Sequence, residues 1–234
     1  MKASLASEPS VGTTTGTPTK QRRARVLLVD DHTIIRERLA ALINQEPDLV
    51  TCGEAEDAFS GLEAVEELMP NIVIVDLSLK DTHGIELIKD IKLRQPELPV
   101  LVLSMHDESL YAERAIRAGA RGYITKQEAT KKVMTAIRRV LAGDIYVSDR
   151  MAATILHRLA GDKSEAKGSP LACLTDRELE IFHLLGEGIP ARQIAKTLHV
   201  SVKTVEAHRE HIKAKLNFKT SAELLRYAIQ NNMD

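Results

Sequence analysis

The sequence predicts an α/β chain: a five-stranded, doubly wound parallel sheet with a second, smaller all-α domain of four helices. Three observations carry this. Short Val/Ile/Leu runs alternate with helically spaced apolar positions over residues 25–142, the pattern of repeated βαβ units. From residue 171 no strand pattern remains, and capping residues mark out short helices. Charge divides the same way: residues 25–146 carry 15 Lys/Arg against 21 Asp/Glu, whereas 192–219 carry 7 against 2. That asymmetry points to two partners of opposite chemistry.

Taken in order, residues 1–24 read as a disordered leader rich in Ser, Thr, Gly, Pro and Ala. It ends in Lys20-Gln21-Arg22-Arg23, read as a solvated tail rather than a nucleic-acid arm. Strands are predicted at Val26–Val29, Leu49–Cys52, Ile72–Val75, Val100–Leu103 and Gly122–Ile124. Their unbroken apolar character requires cover on both faces of the sheet. Helical spacing joins Ile34, Ile35, Leu39 and Leu42; Leu62, Val65 and Leu68; and Ile85, Leu87, Ile88 and Ile91. A last helix over Ala129–Leu141 stops at Gly143, closing a domain over 25–143. Residues 144–170 are predicted to be a linker with one short helix, Met151–Leu159, and a flexible Gly161–Pro170 stretch. In 171–234, Thr175 with Glu178 and Thr220 with Glu223 form capping boxes, Pro190 starts a helix and Ser201 caps another.

Composition removes several classes. With 234 residues, 44 % hydrophobic and 28 % charged, the chain is long enough for one large or two small globular domains. Aromatics are 3 % with no Trp, which argues against an aromatic cofactor cage or a base-stacking platform. Cys52 and Cys173 stand alone, so neither a disulfide framework nor a structural zinc site is expected. There is no apolar leader segment and no apolar run of roughly 20 residues. A soluble, cytoplasmic protein without a membrane partner is the expectation.

Five polar residues fall at the predicted strand ends. Asp30 and Asp31 follow the first run, Asp76 the third and Ser104 the fourth, and Lys126 lies just beyond the fifth. In a parallel sheet these ends share one edge, where open α/β sheets build their sites. Converging carboxylates repel one another and call for a hard divalent cation, Mg²⁺. Carboxylate, Mg²⁺ and Lys together suit attack on a phosphoryl group. Asp76, alone at the end of the central strand, is the expected acceptor, with Asp30 and Asp31 as the metal pair. Ser104 and Lys126 would hold phosphoryl oxygens. Any one of these residues alone would more simply be a helix cap; the five together are the signal.

In the second domain, Ile194, Ala195 and Leu198 give a short helix one buried face, and His199-Val200-Ser201 makes a tight turn. A longer helix follows from about Val202 to Leu216. At about 100° per residue, Val205, His208, Ile212 and Leu216 share its apolar face. Lys203, Glu206, Ala207, Glu210, Lys213 and Ala214 share the other. This is a helix-turn-helix for double-stranded DNA. Arg192, Lys196, Lys203, Arg209 and Lys213 are the candidate phosphate contacts and Thr204, Glu206, Ala207 and Glu210 complete the DNA-facing set. His208 reads as core packing rather than as a ligand.

VLLVDDH, IVIVDLSL, VLVLSMHD and GYITK, in that order, resemble the receiver domain of two-component response regulators. LTDRELEIFHLLGEGIPARQIAKTLHVSVKTVEAHREHIKAKL is similar to LuxR-type DNA-binding domains. Together they resemble the NarL/FixJ subfamily. The resemblance implies a flavodoxin-like receiver that takes a phosphoryl group from a sensor histidine kinase onto Asp76. It implies Mg²⁺ held by Asp31, Asp76 and the backbone carbonyl of Ser78, oriented in part by Asp30, and Tyr123 as a switch aromatic that turns inward as Ser104 moves. It further implies a homodimer on phosphorylation, and a recognition helix that the unphosphorylated receiver can mask. Many receivers carry Met-Pro where this chain has Leu79 and Lys80, so the loop after Asp76 is expected to differ in shape. Two other readings fit the same residues less well. A Mg²⁺-dependent phosphohydrolase lacks an evident general acid, and a ligand-sensing LuxR-type regulator lacks a pocket domain.

Overall fold

In the computed structural model, residues 23–80, 82–106, 108–159 and 170–231 are described. The leader expected over 1–24 lies almost wholly outside them, as does all but Pro170 of the stretch Gly161–Pro170 that the sequence reads as a flexible linker. The first domain alternates β1 (Ala24–Val29), α1 (Thr33–Gln45), β2 (Leu49–Ala55), α2 (Ala58–Leu68), β3 (Ile72–Val75) and α3 (Gly84–Arg94). It continues with β4 (Val100–Ser104), α4 (Glu108–Arg117), β5 (Gly122–Thr125) and α5 (Ala129–Leu141). All strand pairings are parallel, in the order β2-β1-β3-β4-β5.

The continuous apolar strands are covered on both faces, as their composition requires. On one side Val26, Leu28 and Ile74 pack with Leu39 and Ile43 of α1 and Ile137 and Val140 of α5. On the other, Val29, Val73 and Val102 pack with Val65 of α2, Ile88 of α3 and Tyr111 of α4. Strand β2 runs three residues longer than expected and β4 and β5 one each, because backbone pairing continues past the apolar runs into Gly53–Ala55, Ser104 and Thr125.

The first part of the expected linker is anchored. Tyr123 N–H donates to the Tyr146 carbonyl and Tyr146 N–H to the Arg121 carbonyl, adding a short extended segment beside β5. Helix α6 (Asp149–Leu159) follows, starting two residues before the expected Met151. Its Met151 is buried in the same apolar cluster as Tyr111 and Ala112 of α4.

After a 3₁₀ turn at Pro170–Cys173, the second domain comprises α7 (Asp176–Gly186), α8 (Ala191–Thr197), α9 (Val202–Lys215) and α10 (Ser221–Asn231). The capping residues act as the sequence indicates. Thr175 and Glu178 exchange both capping-box bonds, and Ser201 Oγ accepts from Thr204 N–H. Each such cap stabilises its helix by about 1 kcal/mol. Phe182, Leu185, Ile194, Val205, Ile212 and Leu224 form the core of this domain.

Helix α7 is the bridge between the two halves. Asp176, Glu180 and His183 lie on one face, toward the first domain; Glu178, Phe182 and Leu185 lie on the opposite one, toward α9 and α10.

Candidate functional site

Strand order reverses between β1 and β3, and at such a switch point a crevice opens at the carboxyl ends of the strands. Asp30 and Asp31 leave β1 there and Asp76 leaves β3. Val75 pairs with Val102, so Asp76 and Ser104 leave neighbouring strands close together. Lys126 follows β5, its N–H bonded to the Ser104 carbonyl at 2.8 Å. The structure thus brings Asp30, Asp31, Asp76, Ser104 and Lys126 to one edge.

Lys126 Nζ lies 2.7 Å from Asp30 Oδ2 and 2.7 Å from Asp76 Oδ2. Burial opposes its charge, but Asp76 and Asp30 outweigh that and hold the ammonium protonated. Asp76 is only 2 % exposed. Burial pushes its carboxyl up to about 7; Lys126 opposes the shift and Asp30 adds to it, while Ser78 N–H supports the ionised form. Three carboxylates against one ammonium leave excess negative charge in the crevice. Asp31 Oδ1 and Asp76 Oδ1, both buried, make no hydrogen bond among the described residues. Carboxylate oxygens that no hydrogen bond ties down, in a crevice of net negative charge, are the donor set of a hard divalent cation, so the residues present fit Mg²⁺.

Sequence reasoning left His32 and Arg36 without a role. His32 Nδ1 stands 2.7 Å from Asp31 Oδ1 and its N–H donates to Asp30 Oδ1 at 2.8 Å. Arg36 reaches the Asp30 carbonyl. His32 follows the Asp pair directly and Arg36 lies in the first turns of α1, but nothing in the spacing alone distinguishes them from an ordinary cap and an ordinary helix member.

Ser104 is fully buried, its Oγ accepting from His106 N–H at 3.2 Å. Tyr123 is already inside, 1 % exposed, and its hydroxyl donates to the His106 carbonyl at 2.9 Å. The His106 ring continues outward, with Nε2 2.9 Å from Ser78 Oγ. Ser78 Oγ also donates to Glu180 Oε1 of α7 at 3.3 Å. Glu180 is 1 % exposed; burial raises its pKa, and Arg177, paired to Oε2 at 2.7 Å, opposes that. Arg114 of α4 adds three bonds to the second domain, to the Leu171 and Leu174 carbonyls and to Asp176 Oδ1, at 2.8–2.9 Å. His106, Glu180 and Arg114 were not identified from sequence, because their meaning depends on how the two domains dock.

In the second domain α8 and α9 are joined at Leu198–Ser201, with His199 at φ 52°. Arg192 and Lys196 on α8 and Lys203, Glu206, Ala207 and Glu210 on α9 are exposed. Thr204, Arg209 and Lys213 are half-buried. Arg209 pairs with Glu206 at 2.8 Å and Lys213 with Glu210 at 2.7 Å, so these four stand as two acid–base pairs rather than as independent contacts. Thr204 Oγ1 is 2.8 Å from Ser201 Oγ, which ties it to the helix cap. The expected masking of the recognition helix is not what this arrangement has. The first domain docks on α7, and α9 packs on the opposite face of α7, so among the described residues the polar face of α9 is exposed.

Comparison with known proteins agrees with this geometry. Residues 26–138 match the response regulator receiver domain, and 172–228 match the bacterial regulatory proteins of the luxR family. The oxygen regulatory protein NreC of Staphylococcus carnosus is 32 % identical over 213 residues, covering 89 % of this chain and 98 % of NreC. The response regulator RcsB of Salmonella typhimurium superposes with a TM-score of 0.63 at 25 % identity, over 89 % of this chain and 98 % of RcsB. A structure of RcsB from Salmonella enterica serovar Typhimurium bound to a promoter with the phosphomimetic BeF3⁻ gives a TM-score of 0.59 at 26 % identity, over 88 % and 98 %. Receiver domains as a class bind Mg²⁺ at their acidic pocket and imply a sensor kinase, and the luxR-type helix-turn-helix implies DNA. Among the described residues no helix is long and apolar enough to cross a membrane. The chain belongs to the two-component response regulators of the NarL/FixJ type, transcription regulators that join a receiver domain to a LuxR-type DNA-binding domain.

Proposed function

We propose that Asp76 is the phosphoryl acceptor and that its modification controls how the DNA-binding domain is held. The division is a receiver over 25–143, a linker over 144–170 and a DNA-binding domain over 171–234, working in the cytoplasm. A sensor histidine kinase presents a phosphohistidine. The P–N bond breaks, a carboxylate oxygen of Asp76 bonds to phosphorus, and the imidazole departs with the electron pair. Lys126 screens charge on the transferring oxygens, and Ser104 hydrogen-bonds one of them. Asp31, Asp76 and the Ser78 carbonyl would hold Mg²⁺, with Asp30 orienting the set; when bound, Mg²⁺ neutralises phosphoryl charge.

One observation carries the gating reading: Glu180 of α7 is hydrogen-bonded to Ser78, two residues from Asp76. His106 links Ser104, Tyr123 and Ser78 to that contact. A phosphoryl group that draws Ser104 toward it pulls on His106 N–H, and Tyr123 must follow through the same residue. The effect reaches α7 and changes the docking, rather than uncovering α9. Released domains then pair on two half-sites as a homodimer, because one helix-turn-helix makes few base contacts. Labelling with acetyl phosphate and Mg²⁺ tests the acceptor. The wild type should take up an alkali-labile phosphoryl group and Asp76→Asn none; label in the variant overturns the assignment.

A further inference from the structure

We infer that Glu178, His208 and His211 form a transition-metal site of the Zn²⁺ class, clamping the recognition helix α9 to α7. It lies wholly within the DNA-binding domain and does not depend on the phosphorylation reading. One ligand atom from each of the three lies within 4.8 Å of the others. Glu178 Oε1 is 4.0 Å from His211 Nδ1. In a formed tetrahedral site with metal–ligand bonds of about 2.0–2.1 Å, donor atoms sit roughly 3.3 Å apart. Closing that gap needs only a small rotation, and His211, whose side chain is 67 % exposed, is free to make it.

The chemistry of the donors selects the metal. Two imidazoles and one carboxylate suit Zn²⁺ and its neighbours, whereas Mg²⁺ and Ca²⁺ want oxygen alone. His208 Nδ1 is buried and has no hydrogen-bond partner among the described residues. A buried imidazole nitrogen without a partner is costly, and in the tautomer that leaves the proton on the other nitrogen a metal ion would satisfy it. The carboxylate is held in place from behind: Glu178 Oε2 accepts from Thr175 N–H at 2.8 Å and from Lys215 Nζ at 2.6 Å. Such outer partners fix the orientation of a metal ligand. Lys215 is also a positive charge beside the site, which weakens cation binding and points to an exchangeable, sensory affinity rather than a permanent structural ion. Three protein ligands on two helices leave a coordination position open on the exposed His211 side.

His208 and His211 stand at i and i+3 on α9 and face α7 rather than the DNA side. A metal bound there would fix α9 against its supporting helix and so tune DNA binding. The test is a titration of the full, chelator-treated chain with Zn²⁺, followed calorimetrically, and with Co²⁺, followed by visible absorption. Both run in excess Mg²⁺, which occupies the acidic crevice of Asp30, Asp31 and Asp76. One Zn²⁺ per chain and a tetrahedral Co²⁺ spectrum are expected. His211→Asn, an exposed change that leaves the core intact, should weaken binding at least about tenfold, and His208→Gln should do the same. Asp31→Ala should leave it unchanged. Absence of saturable Zn²⁺ binding, or equal binding by wild type and both histidine variants, overturns the site. So does loss of binding in Asp31→Ala, which would move the metal to the receiver crevice.

Discussion

Ser78 Oγ donates a hydrogen bond to Glu180 Oε1 across the domain boundary at 3.3 Å, in the loop that leaves β3 after Asp76. Ser78 is two positions from Asp76 on the loop that would supply a metal ligand. Glu180 stands on the α7 face opposite the one that supports α9. The acidic crevice and α9, the proposed acceptor site and the proposed DNA-reading helix, are therefore separated by a single helix. A change in the loop need only tilt or free α7 to alter how α9 is presented, which is a two-state docking rather than a chain of small shifts.

Arg114→Ala should loosen that docking without touching the core of either domain. The side chain belongs to α4, and its bonds to Leu171, Leu174 and Asp176 all cross the boundary. The unphosphorylated variant should bind operator DNA more tightly than the wild type, by several-fold, because allosteric couplings are typically about 1–3 kcal/mol. It should also gain less on phosphorylation. An unphosphorylated variant that binds no better than the wild type shows that this docking does not restrain DNA binding.

Asp31→Ala should weaken Mg²⁺ binding and slow labelling by acetyl phosphate, while the chain stays folded. Asp31 Oδ1 makes no hydrogen bond among the described residues, so removing it breaks no structural bond except its ion pair with His32. A small set of oxygen donors loses a direct ligand. A Mg²⁺ titration of the labelling rate, run beside a thermal melt, separates the two effects. An unchanged Mg²⁺ midpoint would mean that Asp31 is not a ligand.

What could be read in the sequence divides along physical lines. The strands and the sites at their ends were legible because parallel topology maps strand ends to one edge whatever the loops do. Asp30, Asp31, Asp76, Ser104 and Lys126 all meet there. Capping residues likewise report on their own helix, and Thr175, Glu178 and Ser201 behave as read. His106 and Glu180 were not legible. Each looks like an ordinary polar residue until two domains dock and bury it. The paired Glu206–Arg209 and Glu210–Lys213 were missed for a different reason: i,i+3 spacing permits a pair, but only the side-chain conformations decide whether it forms. His208 reads as packing from its apolar-face position on α9, and the approach of Glu178 to within 4.8 Å from another helix is a tertiary fact that one helix's sequence does not carry.

Gly84→Ala should destabilise the receiver and impair phosphorylation together. A Cβ there would fall 2.1 Å from the Asp76 carbonyl oxygen and 2.8 Å from Leu77 Cα, so the start of α3 would have to move off the acceptor loop. The Gly84 N–H bond to the Leu77 carbonyl, 2.7 Å, would be strained by the same shift. Overpacking of this kind costs about 1–3 kcal/mol. A lower melting temperature with slower labelling is expected. Wild-type values for both would show that the loop yields freely.

Glu206→Lys should change which DNA sequences are preferred, with little effect on stability. Its partner is Arg209, at 2.8 Å on the helix surface, and exposed pairs of this kind contribute only about 0–1 kcal/mol. Any large effect must then arise in the complex. A carboxylate on the exposed face of α9 accepts from cytosine N4 in the major groove, whereas an ammonium favours the acceptors of guanine. The preferred site selected from a random DNA library should therefore shift at one position per half-site. Lys203→Ala is the matched control. Lys203 is exposed at the start of α9, where loss of a phosphate contact should weaken all sequences alike and lower the salt slope by about 0.9 per contact. If Glu206→Lys instead behaves like its control, changing affinity and salt slope but returning the wild-type site, then Glu206 acts through the local field and reads no base.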